Sequence, residues 1–179
     1  MIELDMEDRS KPNILITGTP GTGKTCLSQM IAEQLELEHV NIGDLVRKEQ
    51  CHEGRDEEFD TFILDEDKLL DALEPRLAQG GLVLDFHGAD LFDPQQLDLV
   101  LVLRAETRVL YDRLQARGYA KNKVDENMSC EIMQVVLEEA KEAFPQEIVH
   151  EVPSNSISDL ESNVERLKAW YTQWLQDNS

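Results

Sequence analysis

The chain has few cysteines, few basic residues and no long apolar run. Its three cysteines, Cys26, Cys51 and Cys130, form neither an even set nor a metal-ligand pair. We therefore expect no disulfide framework, no structural zinc site and a reducing, intracellular compartment. No apolar run approaches the roughly 20 residues that a membrane-spanning helix needs, so we expect no transmembrane segment.

Positive charge is also scarce, since 17 Lys and Arg stand against 37 Asp and Glu, for a formal net charge of -20. Such a surface repels the phosphate backbone, so we expect no broad nucleic-acid interface. The excess of acid is consistent with a basic partner. It is equally consistent with a solvated surface that only maintains solubility.

The 179 residues, 41% of them apolar, have the size and composition of one soluble domain. We expect residues 1–11, which are acidic and polar, to form a disordered tail rather than a signal peptide, and residues 12–179 to form the domain. Strand and helix patterns alternate throughout, which predicts an α/β fold with a parallel sheet between helices. The predicted strands are Asn13–Thr17, His39–Ile42, Leu82–Phe86, Leu99–Leu103 and Ile148–Val152.

Cap and breaker residues set the expected helix boundaries. Asp65 is expected to cap a helix that Pro75 kinks or divides. One further helix is expected over about residues 128–143. Ser158, with Glu161 three residues later, forms a capping-box pattern for the terminal helix.

Residues Gly18 to Thr25, GTPGTGKT, match the phosphate-binding pattern G-x-x-x-x-G-K-[ST] between a strand and an amphipathic helix. Glycines let the backbone curl around phosphate oxygens at the positive end of the helix. Lys24 is expected to bind the β and γ phosphates of ATP, and the Thr25 hydroxyl to ligate Mg²⁺. The residues expected to bind the nucleotide here are Gly21, Thr22, Gly23, Lys24, Thr25 and Cys26.

Asp85 ends the apolar strand that begins at Leu82. This is where an acidic residue holds Mg²⁺, directly or through water, or orients a nucleophile, although an aspartate at a strand end is also an ordinary turn cap. His87 follows on the same side of the strand end and can steer water or a substrate phosphate. A loop histidine alone is as often structural.

The segment Asn41–Arg47, NIGDLVR, resembles the adenylate kinase family, whose monophosphate site begins with a G-D-x-x-R pattern. Further segments narrow the resemblance to the adenylate kinase isoenzyme 6 family. They are Asp56–Glu58, Ile63–Asp67, Asp85–Gly88, Cys130–Ile132 and Glu147–His150. The resemblance runs from about Pro12 to the C-terminal end and implies a P-loop nucleotide kinase with five parallel strands. In related kinases the loop at residues 153–155 contacts adenine, although Pro-Ser-Asn is also an ordinary turn.

The same resemblance implies that Arg47 binds the monophosphate, that residues of about 41–64 form a closing arm and that about 117–126 form a short lid. A guanidinium matches phosphate oxygens as a planar fork. Arg117, at the helix end before the lid, is the expected clamp on the transferred phosphate, whereas Arg113 is expected to pair with a neighbouring acid. Without the glycine loop, Arg47 would indicate only a helix-surface ion pair.

Two departures from ordinary adenylate kinases affect the expected reaction. His87-Gly88 stands where those kinases carry an arginine, and Asp125–Ala140 contains no arginine. Phosphoryl transfer depends mainly on positioning and electrostatics, so the missing charge should weaken the transfer. We therefore expect an ATP:AMP phosphotransferase, with catalytic residues Lys24, Asp85, His87 and Arg117, that also hydrolyses ATP.

Two other functions stay open: a kinase of other monophosphates such as CMP or dAMP, and a nucleotide-switched assembly factor with weak kinase activity. The resemblance implies a part in maturation of the small ribosomal subunit, through a basic ribosomal protein, and a location in the nucleus as well as the cytoplasm. The sequence has no evident basic import cluster, so the nuclear location is implied by resemblance alone.

Overall fold

The structure, a computed structural model, describes residues 9–49, 52–56 and 61–179, with the backbone only at 52–56 and 61–63. Its described strands are β1 (Ile14–Thr17), β2 (Glu38–Asn41), β3 (His52–Asp56), β4 (Thr61–Leu64), β5 (Leu82–Asp85), β6 (Leu99–Arg104) and β7 (Val149–Pro153). Its described α-helices are α1 (Lys24–Leu35), α2 (Ile42–Lys48), α3 (Glu66–Gln79), α4 (Thr107–Ala116), α5 (Lys121–Ile132), α6 (Val135–Ala143) and α7 (Ile157–Asp177).

Five strands form one parallel sheet in the order β2-β5-β1-β6-β7. This confirms the predicted α/β fold with a five-stranded parallel sheet. The strands β3 and β4 pair with each other as a separate antiparallel hairpin. In a parallel sheet all carboxyl ends lie at one edge, which is where ligands bind in open α/β folds.

The apolar runs predicted as central strands are buried on both faces. Leu15 and Leu84 pack into one core cluster with side chains of α2, α3 and α6, and Ile14 and Val83 pack into a second cluster with α1 and α7. Each of these four residues is fully buried. Alternate residues of one strand thus supply both layers, as strand geometry requires.

Asn13 joins three segments at the amino end of the sheet. Its side chain is fully buried. The amide Nδ2 donates to the carbonyl oxygens of Leu77 at 2.8 Å and Gln96 at 2.9 Å, and Oδ1 accepts from the Leu82 N–H at 3.2 Å. One buried amide thereby provides hydrogen-bond partners for backbone groups at the end of α3, at the start of β5 and in the turn before β6.

The folded domain begins earlier than the sequence predicts. Arg9 is 8% exposed and pairs with Asp98 at 2.9 Å, while Lys11 donates to the Glu36 carbonyl oxygen at 3.1 Å. The prediction of a disordered tail is therefore wrong for residues 9–11. Its remainder, residues 1–8, lies outside the described residues.

Pro75 does not divide its helix, because α3 is continuous from Glu66 to Gln79. The proline is on the exposed face, where water can bind the carbonyl that loses its partner. Leu69, Leu73 and Leu77 are fully buried on the other face and stabilise the helix. The Asp65 cap is confirmed, since its side chain accepts from the Lys68 N–H.

The prediction of a single helix over about 128–143 is wrong. The chain forms two helices there, α5 and α6, and the left-handed Gln134, with a φ of 58°, separates them. α5 begins at Lys121, so most of the expected lid is helical. The cap of the terminal helix is Ser156 rather than Ser158, since the Ser156 hydroxyl accepts from the Asp159 N–H at 3.1 Å.

None of the described helices is both long and apolar enough to cross a membrane.

Replacing Asn13 with Leu should lower the free energy of unfolding by at least about 3 kcal/mol. Three buried backbone groups would lose their partner, at about 1–3 kcal/mol each. Urea denaturation measures the change, with Gln115→Leu on the exposed face of α4 as the control amide replacement. Equal stability of the two variants would contradict the role given to Asn13.

Candidate active site

A cleft of about 540 Å³ opens at the carboxyl edge of the sheet. Its walls come from the glycine loop, from the end of β5 and from α5. The residues that line it include Gly21, Gly23, Lys24, Thr25, Asn41, Asp85, His87, Arg117, Tyr119, Lys123, Glu126 and Cys130. The structure thus brings together most of the predicted site residues from three separate parts of the chain.

The glycine loop follows a backbone path that other residues rarely adopt. Gly18 leaves β1 with a φ of 152°, and a Cβ there would lie 2.6 Å from the Thr22 hydroxyl oxygen and 2.9 Å from the Leu103 carbonyl oxygen. Gly23 has a φ of 93° and precedes α1 directly. These turns place the amino end of α1 at the cleft, where its N–H groups favour an anion.

Side chains from two other elements hold the loop. The Ser154 hydroxyl donates to the Thr22 carbonyl oxygen at 2.5 Å, and Arg113 donates to the Gly21 carbonyl oxygen at 3.3 Å. The expectation that Arg113 pairs with an acid is therefore wrong. Burial, and then the charge of Arg117, lower the pKa of Arg113. A four-residue spacing between two arginines could not show that the first one turns toward the loop.

Lys24 folds back over the loop and donates to the carbonyl oxygens of Gly18 at 3.0 Å and Thr19 at 3.2 Å. Although part of its surface borders the cleft, loss of water lowers the pKa of Lys24 from 10.5 to about 8. Arg117 lowers this pKa further, and Asp85 opposes the shift. Near neutral pH the ammonium is still mostly charged but poorly hydrated, so an anion can stabilise it.

The Asp85 carboxylate is 3% exposed and lies beside the Thr25 hydroxyl. The hydroxyl donates to Asp85 Oδ2 at 2.7 Å, the Asn41 amide donates to the same oxygen at 3.1 Å, and His39 Nε2 is 3.2 Å from it. Hydroxyl and carboxylate oxygens are hard donors of the kind that Mg²⁺ prefers. The pair of Thr25 and Asp85 therefore fits that ion. Nothing in the sequence marked His39, which precedes the G-D-x-x-R pattern.

His87 lines the cleft with its ring 4.6 Å from that of Phe86, at a tilt of 51°. Although part of the residue is open to solvent, burial in the cleft, and then the charge of Lys24, lower its pKa from 6.5 to about 4. The imidazole is thus neutral near pH 7. It can donate or accept a hydrogen bond, but it is a weak base.

Two cations face the loop from the lid side of the cleft. Arg117 donates to the Tyr119 hydroxyl at 3.2 Å, and the Lys123 ammonium lies 4.1 Å from the centre of the Tyr119 ring. Sequence reasoning selected Arg117 and missed Lys123. The sequence did place Lys123 within the expected lid. It lines the cleft because this part of the lid is helical.

Arg47 does not line the cleft. It forms an ion pair with Asp44 on the surface of α2, and both side chains are exposed. Cys26, also exposed, lies outside the cleft lining as well. Of the predicted arm, α2 and the backbone of the β3–β4 hairpin are described, whereas residues 50, 51 and 57–60 lie outside the described residues.

The His87 ring should titrate near pH 4, which an NMR pH titration of the ring protons measures, with His87→Gln to assign the signal. Because the folded-state pKa is below 6.5, the unfolded chain takes up this proton first as the pH falls. Stability from neutral His87 is therefore lost from about pH 6.5 toward pH 4, and His87→Gln should reduce that loss. A midpoint near 6.5 would contradict the assigned environment.

Comparison with known proteins indicates the same family as the sequence motifs. A family model described as an AAA domain matches residues 14–134. The adenylate kinase isoenzyme 6 homolog of Schizosaccharomyces pombe is 49% identical over 172 residues, which cover 96% of this chain and 98% of the relative. The homolog of the same name in Dictyostelium discoideum is 46% identical over 171 residues, covering 96% and 98%.

A solved structure supports the fold. Shikimate kinase from Acinetobacter baumannii in complex with shikimate has a TM-score of 0.58 at 16% identity, over 94% of this chain and 95% of that one. At this identity the likeness shows the P-loop kinase fold alone. The near full-length relatives show more, and by them this chain belongs to the adenylate kinase isoenzyme 6 family.

Proposed function

We propose that this protein transfers the γ-phosphoryl group of ATP to AMP and also hydrolyses ATP. The observation that carries the proposal is the convergence of Lys24, Arg117 and Lys123 on one cleft beside the paired oxygens of Thr25 and Asp85. One cation of the glycine loop, Lys24, and two cations that face the loop suit a triphosphate, whose charge increases at the β,γ bridge as the bond breaks. The names of the family's members support AMP as the acceptor.

The loop and the cations bind the phosphates of ATP from two sides. Lys24 is in position to neutralise the β and γ phosphates once it leaves the loop carbonyls, and Arg117 faces it from the lid side. Thr25 and Asp85 would hold Mg²⁺, which neutralises phosphate charge when it is bound. An oxygen of the AMP phosphate then attacks the γ-phosphorus, and the bond to the bridging oxygen breaks to leave two ADP.

Water can replace AMP as the attacking group. The cleft is open to solvent at His87, and the neutral imidazole can accept a hydrogen bond from a water molecule without removing its proton. Its low pKa favours orientation over general-base catalysis. Apart from Lys123, the α5–α6 side supplies little positive charge to the transferring group, since residues 125–140 contain neither Lys nor Arg. These features favour a slow kinase that loses some ATP to hydrolysis.

The acceptor side requires a movement of the arm. Arg47 is outside the cleft, paired with Asp44, and must exchange this carboxylate for the AMP phosphate. The exchange costs little because an exposed ion pair contributes at most about 1 kcal/mol. A closed arm would also exclude water from the γ-phosphate, and AMP would thereby favour transfer over hydrolysis.

Coupled assays of ADP formation, with and without AMP, test this division of roles. Arg47→Ala should raise the KM for AMP by about 10-fold or more, since a charge-assisted phosphate contact is lost. AMP-independent hydrolysis should stay within about twofold, because Arg47 lies outside the ATP cleft. Lys24→Ala should lower both rates by about 100-fold or more.

Arg166→Ala, on the exposed face of α7, is the matched control and should change neither rate. Wild-type protein that shows no stimulation by AMP would remove the kinase proposal and leave an ATPase. Survival of both activities in Lys24→Ala would show that the site is elsewhere.

A second function, a nucleotide-switched assembly factor for the small ribosomal subunit, is favoured by the net charge of -20, which suits a basic ribosomal protein. This proposal includes action in the nucleus as well as the cytoplasm. Purified protein loaded with ADP or with a non-hydrolysable ATP analogue should capture basic small-subunit proteins to different extents. Identical capture in both states would count against a switch.

A further inference from the structure

The end of β2 delivers two side chains to the same carboxylate oxygen of Asp85. In the parallel pairing of β2 with β5, Asn41 is opposite Asp85 and His39 is opposite Val83. His39 and Asn41 are two residues apart and therefore share one face of the strand, whereas Val40 between them is buried in the core on the other face. The register thus directs an imidazole and an amide toward Asp85 from one side.

Asp85 Oδ2 is the meeting point of three hydrogen-bonding groups from two elements. The Thr25 hydroxyl lies at 2.7 Å, the Asn41 Nδ2 at 3.1 Å and the His39 Nε2 at 3.2 Å. The carboxylate is 3% exposed, and the His39 side chain is 19% exposed. A buried carboxylate needs such donors in place of water. Because a carboxylate only accepts, His39 must carry its proton on Nε2 to bind it.

This arrangement also fixes the direction of the Thr25 hydroxyl. Its proton points to Asp85 Oδ2, so the oxygen lone pairs point away from Asp85. A hydroxyl held in this way presents a ligand to a cation at the loop without having to rotate. The benefit depends on Asp85 staying in place, and in the described part of the chain the other side chains that bind its Oδ2 are those of His39 and Asn41.

We propose that His39 is a positioning residue of the magnesium and nucleotide site, which holds Asp85 so that Thr25 is preorganised as a ligand. This rests on the proposed function, because it assumes that the cleft binds nucleotide with Mg²⁺. Asn41 shares the task and links it to the arm, since its Oδ1 accepts from the Asp44 N–H at the start of α2. His39 itself is absent from the cleft lining and instead lines a smaller pocket beside α2, together with Asn41 and Asp44.

Calorimetric titration with ADP, in Mg²⁺ and in EDTA, tests the proposal without an activity readout. In His39→Phe the gain in ADP affinity that Mg²⁺ provides should fall by about 10-fold or more, as happens when a residue behind a metal ligand is removed. Affinity in EDTA should stay within about twofold of wild type, because the loop itself is intact. His39→Gln, whose Nε2 can take the place of the imidazole N–H, should restore most of the gain.

His150→Phe applies the same substitution to an exposed residue of β7 and should leave both affinities unchanged. A Mg²⁺ effect in His39→Phe equal to that of wild type would overturn the proposal. So would an equal loss of affinity in Mg²⁺ and in EDTA, because that result would show a purely structural role. If wild-type protein binds ADP with no Mg²⁺ effect, the magnesium site of the proposed function is what fails. If it binds no ADP, the nucleotide cleft itself is wrong.

Discussion

Gly18 turns the chain out of β1 where a Cβ would meet the Leu103 carbonyl oxygen, and the rest of the site depends on that turn. Lys24, Arg113 and Ser154 each donate a hydrogen bond to a carbonyl oxygen of the loop that follows this turn. The amino end of α1 then faces the cleft. A side chain at Gly18 would displace the loop. The Lys24 ammonium and the Thr25 hydroxyl at the end of the loop would move with it.

The cleft concentrates cations in a protein that is otherwise strongly acidic. Arg113 and Lys24 are both partly buried, and each has a pKa lowered first by loss of water and then by the charge of Arg117. Such a cluster is unfavourable without an anion, so a polyphosphate that enters it regains electrostatic energy that the empty site lacks. Asp85 offsets part of this repulsion and is itself held by His39 and Asn41. The cations at the cleft and the pair of Thr25 and Asp85 therefore form one connected set of side chains.

The sheet and the glycine loop could be predicted, because a buried strand and a glycine motif are each formed by residues that are close together in the sequence. Contacts between distant segments could not be predicted in this way. Arg9 was predicted to lie in a polar tail, because the sequence does not show that the fold brings Asp98 beside it. The break between α5 and α6 requires a left-handed backbone conformation at Gln134, and glutamine is not a residue type that indicates this conformation. His39 becomes part of the site only through the pairing of β2 with β5.

In the proposed function, two nucleotides bind on either side of one transferred phosphoryl group. A crystal structure with a bisubstrate analogue, two adenosines joined by five phosphates, tests this most directly. One end of the analogue should lie in the glycine loop beside Lys24, with the phosphate chain passing Arg117. The other end should contact Arg47, which is released from Asp44. A structure in which only the loop is occupied, with Arg47 still paired to Asp44, would contradict transfer between two bound nucleotides.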